Sequence, residues 1–201
     1  MLDIEGYVLT GGASSRMGRE KAGLEFDGRT LAERSARVLR ELATDVFAVG
    51  GTAVTGIPFV PDFQRPVDEN DRASIFGLYS ALLHSNAEWT AVLACDLPFV
   101  SSGYFRRLIS IAGSVDQKVA AVIPIQPDEM LQPLAALYRT RVSTIAIEQM
   151  VAKNDRRLRS IPGYLTVKLV TPADYADLDP DGRMFFNLNT PEDLERAAEY
   201  L

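Results

Sequence analysis

A chain of 201 residues, 47% apolar and 24% charged, has room for one well-buried α/β domain and not for two comfortable ones. Its formal net charge of −6 excludes a general nucleic-acid binder, because a phosphate backbone demands a net basic face, yet it permits a local basic pocket for a small anion. With one cysteine, Cys95, and one histidine, His84, neither an internal disulfide nor a zinc site is expected, and a reducing compartment is the natural setting. The opening MLDIEGYVLT has no basic segment and no apolar stretch long enough for a signal peptide or a membrane span, so a cytoplasmic protein that meets no membrane is expected.

The first apolar run, 6–10 (GYVLT), predicts a buried strand, and 30–43 (TLAERSARVLRELA) follows with apolar positions at helical spacing. Short strands are predicted at 45–50 (DVFAVG) and 57–60 (IPFV). The polar, breaker-rich segment 61–74 (PDFQRPVDENDRAS) then predicts a long loop. A helix at 75–85, a strong strand at 89–95 (WTAVLAC) and a helix at 102–113 come next, then strands at 118–125 and 133–138. A helix at 142–154, a strand at 164–170 and a final helix at 189–201 with Pro191 in its first turn complete the chain. Near-continuous apolar strands alternating with helices imply a mostly parallel sheet covered on both faces, a single three-layer α/β/α domain over 1–201.

Between the first strand and the first helix stands LTGGASSRMGREK. A Walker A loop needs lysine after its last glycine, and here Arg19 follows Gly18; nor does GGASSRMG supply G-x-G-x-x-G. The ingredients of polyphosphate binding are nonetheless present. Gly11 and Gly12 let backbone amides approach an anion, Ser14 and Ser15 add hydroxyl donors, Arg16 can grip a phosphate with two bonds, and Lys21 supplies a point charge. The plainer alternative is a glycine turn with solvated charges.

The strand 89–95 runs into Asp96, and Pro98 stops it from continuing. A carboxylate at a strand's carboxyl end can hold Mg²⁺ against phosphate oxygens, or it can merely cap the next turn. With the loop above present, the metal is the expectation. Cys95 reads as a small buried hydrophobe rather than a nucleophile, and His84 as a surface residue at a helix end. Asp62 suits an Asx-turn after a short strand, and Asn189 or Thr190 can cap the last helix ahead of Glu192 and Asp193.

The string 9–21 resembles the L-x-x-G-x-[SG]-x-R-M-G-x-x-K signature of nucleotidyltransferases with the Rossmann-like nucleotide-diphospho-sugar transferase fold. VPD (60–62), ACDLPFV (94–100) and FFNLNTPEDL (185–194) fit the same family, so the resemblance spans nearly the whole chain. The doubled glycine resembles the molybdenum cofactor guanylyltransferase branch more than its cytidylyltransferase relatives, which tend to carry alanine before the glycine. The resemblance implies GTP and Mo-molybdopterin as substrates, Mg²⁺ as cofactor, and transient contact with cofactor-delivery proteins or apo-molybdoenzymes. Residue by residue it implies Arg16, Lys21 and Asp96 in catalysis and Asp96 on the metal. Leu9, Thr10, Gly11, Gly12, Lys21, Asp62, Asp96 and Asn187 would contact the nucleotide, with Gln132 toward the acceptor. Two departures lie where base or substrate would sit: SIFGLYSAL replaces a Gly-Pro-Leu-type stretch, and FAVGG lacks an asparagine common after the second strand. The alternatives are a sibling enzyme using CTP or a sugar or alcohol phosphate, and a non-catalytic nucleotide or molybdopterin carrier.

Overall fold

Uninterrupted apolar strands need cover on both faces, and the alternation of side chains along them shows how that cover is arranged. The computed structural model describes residues 2–11, 21–51, 53–63 and 73–200. In β1 (Ile4–Leu9), Ile4 and Val8 join one buried cluster while Tyr7 and Leu9 join another. In β6 (Trp89–Ala94), Ala91 and Leu93 face the first cluster and Val92 the second. A strand of period two buried on both sides has no solvent face on which to place polar residues.

The remaining strands are β2 (Glu25–Phe26), β3 (Arg29–Thr30), β4 (Val46–Val49), β5 (Phe59–Val60), β7 (Ala121–Pro124), β8 (Ala135–Arg139) and β9 (Val167–Val170). Seven of the nine strands among the described residues form one sheet in the order β5-β4-β1-β6-β8-β7-β9. Every neighbour pair is parallel except those made by β8, which runs antiparallel to both β6 and β7. Helices α1 (Leu31–Arg40) and α3 (Ser102–Ser114) pack on the face of the first cluster, with Leu31, Leu39, Tyr104 and Leu108 buried there. Helices α2 (Ser74–His84) and α4 (Thr140–Ala152) cover the other face through Ile75, Leu78, Ile147 and Met150. The result is the three-layer α/β/α arrangement with a mostly parallel, mixed sheet. Short helices α5 (Pro172–Tyr175) and α6 (Pro191–Ala198) complete the chain.

Several elements are shorter than the apolar pattern suggests. The strand expected at 118–125 covers Ala121–Pro124, that at 164–170 covers Val167–Val170, and the last helix covers Pro191–Ala198. A small β2–β3 hairpin was not expected, although Asp27-Gly28 signals it. Both residues have positive φ, 51° and 70°, which suits a type I′ turn. The 61–74 loop gives way to α2 at Ser74, and residues 64–72 lie outside those described.

Topology places the crevice. From β1 the chain turns through α1 to β4 on one side, and from β5 it returns through α2 to β6 on the other. The carboxyl ends of β1 and β6, Leu9 and Ala94, lie side by side in register. At such a reversal of strand order the flanking connections part, leaving a cleft beyond the strand ends.

Candidate active site

Beyond Leu9 the chain stays zipped to its neighbours for one more residue. The Thr10 amide donates to the Val49 carbonyl at 2.9 Å, and the Cys95 amide donates to that of Leu9 at 3.1 Å. The buried Thr10 hydroxyl reaches across to the carbonyls of Val49 and Gly50, so the end of β1 is tied to the turn after β4. That turn is Gly50-Gly51, with φ of 73° and 61°. A Cβ at Gly51 would stand 2.8 Å from the Thr10 carbonyl oxygen, and one at Gly11 would stand 3.0 Å from the Gly51 amide. These glycines allow two main chains to meet where side chains would hold them apart. The FAVGG departure is thus a close backbone contact at the cleft.

Against this pair lies the Asp62 carboxylate. Its Oδ1 is buried and finds no hydrogen-bond partner among the described residues. Burial alone pushes its carboxyl above the usual range, because desolvation penalises the charged form. The following residue holds the turn in place: the Phe63 amide donates to Ser80 Oγ at 2.6 Å, and that hydroxyl donates to the Phe76 carbonyl within α2. An unsatisfied carboxylate oxygen beside a cavity is a waiting acceptor.

Across the cleft, Lys21 opens a short 3₁₀ turn, Lys21–Gly23. Its Nζ donates to Asp96 Oδ2 at 3.0 Å and to Asn189 Oδ1 at 2.7 Å. Asp96 lies just past the end of β6, and the chain carrying Asn189 is joined to it by the main chain, Leu188 amide to Asp96 carbonyl at 2.9 Å. Asn189 is fixed in turn by the cap of α6. Thr190 accepts from the Asp193 amide, and the Asp193 carboxylate accepts from the amides of both Asn189 and Thr190 at 3.0 Å. The first turn of α2 supplies the remaining wall through Ala73, Ser74 and Gly77. Ala73 offers that helix no capping side chain, and the amides of a helix's first turn suit an anion.

One cavity therefore joins Leu9, Thr10, Gly11, Lys21, Asp62 and Asp96, all singled out by sequence. Gly12 and Arg16 fall outside the described residues. Asn187 is not among the residues lining the cavity; its side chain turns back toward the Phe185 carbonyl at 3.5 Å. The neighbour two residues on, Asn189, takes that place, and Thr190 rather than Asn189 caps α6 through its side chain. Gln132 is not a lining residue either; its amide closes the β7–β8 connection onto the Pro124 carbonyl, while Leu134 lines the cavity. Cys95 lines it as a buried thiol whose pKa is pushed up to about 12 by burial and the adjacent Asp96 charge, so it stays protonated and is no nucleophile. His84 is exposed and bonded to the Tyr7 hydroxyl at 2.9 Å, away from this cleft.

No cluster of three acidic, histidine or cysteine side chains able to enclose a metal exists among the described residues. The strand-end carboxylate of Asp96, in a cleft shared with Lys21 and the Gly11 backbone, does fit Mg²⁺, which commonly takes one or two carboxylates and completes its shell with water and substrate phosphates. No described helix is long and apolar enough to cross a membrane.

Comparison with known proteins finds relatives that span nearly the whole chain. The family model of the MobA-like NTP transferase domain matches residues 6–167. A probable molybdenum cofactor guanylyltransferase of Pelotomaculum thermopropionicum is 30% identical over 98% of this chain and 93% of its own length. A molybdenum cofactor guanylyltransferase of Desulfosudis oleivorans is 27% identical over 96% and 94%. Among solved structures, molybdopterin-guanine dinucleotide biosynthesis protein A from Archaeoglobus fulgidus superposes with a TM-score of 0.76 at 25% identity, covering 98% of this chain and 97% of that one. A 2-C-methyl-D-erythritol 4-phosphate cytidylyltransferase from Thermus thermophilus shares the fold, with a TM-score of 0.68 at 20% identity over 96% of each chain.

Proposed function

Since the chain belongs to the MobA-like NTP transferase family and is a nucleotidyltransferase, we propose that it transfers GMP from GTP to the terminal phosphate of Mo-molybdopterin. An oxygen of the acceptor phosphate attacks the α-phosphorus in line, the bond from that phosphorus to the bridging oxygen breaks, and pyrophosphate leaves with the electron pair. No covalent intermediate on the protein is needed, so catalysis reduces to positioning and charge stabilisation.

The observation that supports this most is the convergence of Lys21 and Asp96, 3.0 Å apart, on the cavity at the β1–β6 switch point, opposite the Gly11 backbone. The Gly11 amide and the first-turn amides of α2 would receive phosphate oxygens, and Lys21 would neutralise charge that grows on the leaving group. Asp62, with its unsatisfied oxygen, would accept from hydroxyl or N–H groups of the nucleoside. Asp96 would hold Mg²⁺, which when bound neutralises the triphosphate. Arg16 is proposed as a second phosphate grip on the strength of its motif position.

A panel of GTP, CTP, ATP and UTP with Mg²⁺, read by thermal shift, tests nucleotide choice. A ligand present at about a hundred times its dissociation constant adds about 2.7 kcal/mol, so GTP should raise the melting temperature most. A larger shift with CTP would replace the guanylyl assignment by a cytidylyl one. Failure to release pyrophosphate from GTP in the presence of Mo-molybdopterin would reject the acceptor.

A further inference from the structure

The Lys21 ammonium sits on Asp96 Oδ2 at 3.0 Å, one of the two oxygens that could take a metal. The ion pair is largely withdrawn from water, its side chains 14% and 23% exposed, so its charges are only partly screened. If Asp96 takes the metal, as proposed above, a divalent cation and the ammonium contend for one carboxylate. We infer that Lys21 is the resident counter-ion of Asp96, that it must leave before the metal binds, and that Asn189 is the positioning residue that keeps it in the cleft when it does.

The geometry suits an exchange. An ammonium has three donors and no acceptor; one is spent on Asp96 and one on Asn189. The Asn189 amide oxygen is neutral, so a metal on Asp96 does not take it from Lys21, and it matters more to Lys21 once the ion pair is broken. Its position does not depend on the ion pair, because it hangs from the α6 cap and from the Leu188–Asp96 main-chain bond. A lysine released from Asp96 therefore pivots on Asn189 with donors freed for phosphate oxygens. Metal and triphosphate should consequently enter together, since the phosphates supply the negative charge that draws Lys21 away.

The test uses Mn²⁺ as probe, with binding to the nucleotide-free protein followed by water-proton relaxation and folding checked by circular dichroism. Lys21→Met removes the competitor and should bind Mn²⁺ roughly tenfold or more tightly than the unaltered protein, although it loses turnover. Asn189→Ala should weaken Mn²⁺ binding while Lys21 is present and have no effect in the Lys21→Met background. Equal affinities for the unaltered protein and Lys21→Met, or no binding to Lys21→Met, would overturn the exchange. An equal loss from Asn189→Ala in both backgrounds would overturn the pivot and make Asn189 a metal ligand or a structural residue. The double variant Lys21→Met/Asp96→Asn separates the premise: it should lose the binding, and if it does not, the metal is not on Asp96 and the earlier assignment fails instead.

Discussion

The Asp62 carboxylate lies directly against Gly50: a Cβ on that glycine would stand 2.6 Å from Asp62 Oδ2 and 2.8 Å from Oδ1. The glycine is also in the left-handed region, at φ 73°. Two penalties therefore fall on Gly50→Ala, a backbone cost of about 1–2 kcal/mol and displacement of Asp62. The melting temperature should drop by at least ~2–4 °C, and nucleotide binding should weaken further than stability does. Gly113, in α3, is the control, since nothing lies within 4 Å of its Cβ position. Gly113→Ala should leave binding unchanged and stabilise by up to about 1 kcal/mol, measured by urea denaturation.

Asp62 also predicts a pH dependence. Burial raises its carboxyl pKa in the folded state, so the folded chain holds that proton more tightly than the unfolded one. The sign follows from linkage: stability is fullest below the ordinary carboxylate pKa and declines as pH rises through the folded value. Asp62→Asn removes this cost. It should melt higher than the unaltered protein at pH 7, with the gap closing as pH falls into the carboxylate range, while GTP affinity falls. Equal melting points at pH 7 would mean that Asp62 finds a compensating partner.

Much of this site could be read from residue order because its parts are local. Gly11, Lys21 and Asp96 each stand at the end of a strand or the start of a turn, where breaker residues reveal the boundary. Asp62 was legible as a loop carboxylate, but not its burial, which depends on Gly50, Gly11 and Gly77 arriving from three other elements. The place of Asn189 beside Lys21 in the cavity was missed for a similar reason. In NLNTPEDL both asparagines look alike, and the choice between them is made by the capping of α6, which turns Asn189 toward Lys21 across 168 positions of sequence. The β2–β3 hairpin was missed despite Asp27-Gly28, because its two-residue strands carry too little alternation to register.

The α6 cap reaches the site through that same asparagine. Thr190→Ala deletes the acceptor for the Asp193 amide and should cost about 1 kcal/mol of stability. Because Asp193 then holds Asn189 less firmly, turnover should fall several-fold with little change in the KM for GTP. Thr190→Ser should restore both. A loss of stability with unchanged turnover would show that the cap serves the helix alone.

Asp96 separates structure from chemistry most sharply. Its carbonyl accepts from Leu188 through the main chain, so Asp96→Asn leaves the strand end joined to the 188–189 segment. The amide can still fill the turn and still accept from Lys21, yet it lacks the negative charge that draws a hard cation. The fold should therefore be kept, with a modest fall in stability from the lost counter-charge of Lys21, as judged by melting without Mg²⁺, while turnover falls a hundredfold or more, about 2.7 kcal/mol of transition-state stabilisation. A residue that only shapes a turn predicts near-normal turnover, because asparagine serves in turns almost as well as aspartate. Pyrophosphate release measured across a Mg²⁺ titration decides between them. Recovery at high Mg²⁺ would mean that the carboxylate sets metal affinity alone, and a persistent loss would place its charge in the transition state as well. Near-normal turnover at ordinary Mg²⁺ would leave Asp96 a turn residue and move the metal elsewhere in the cleft, with Asp62 the next carboxylate to test.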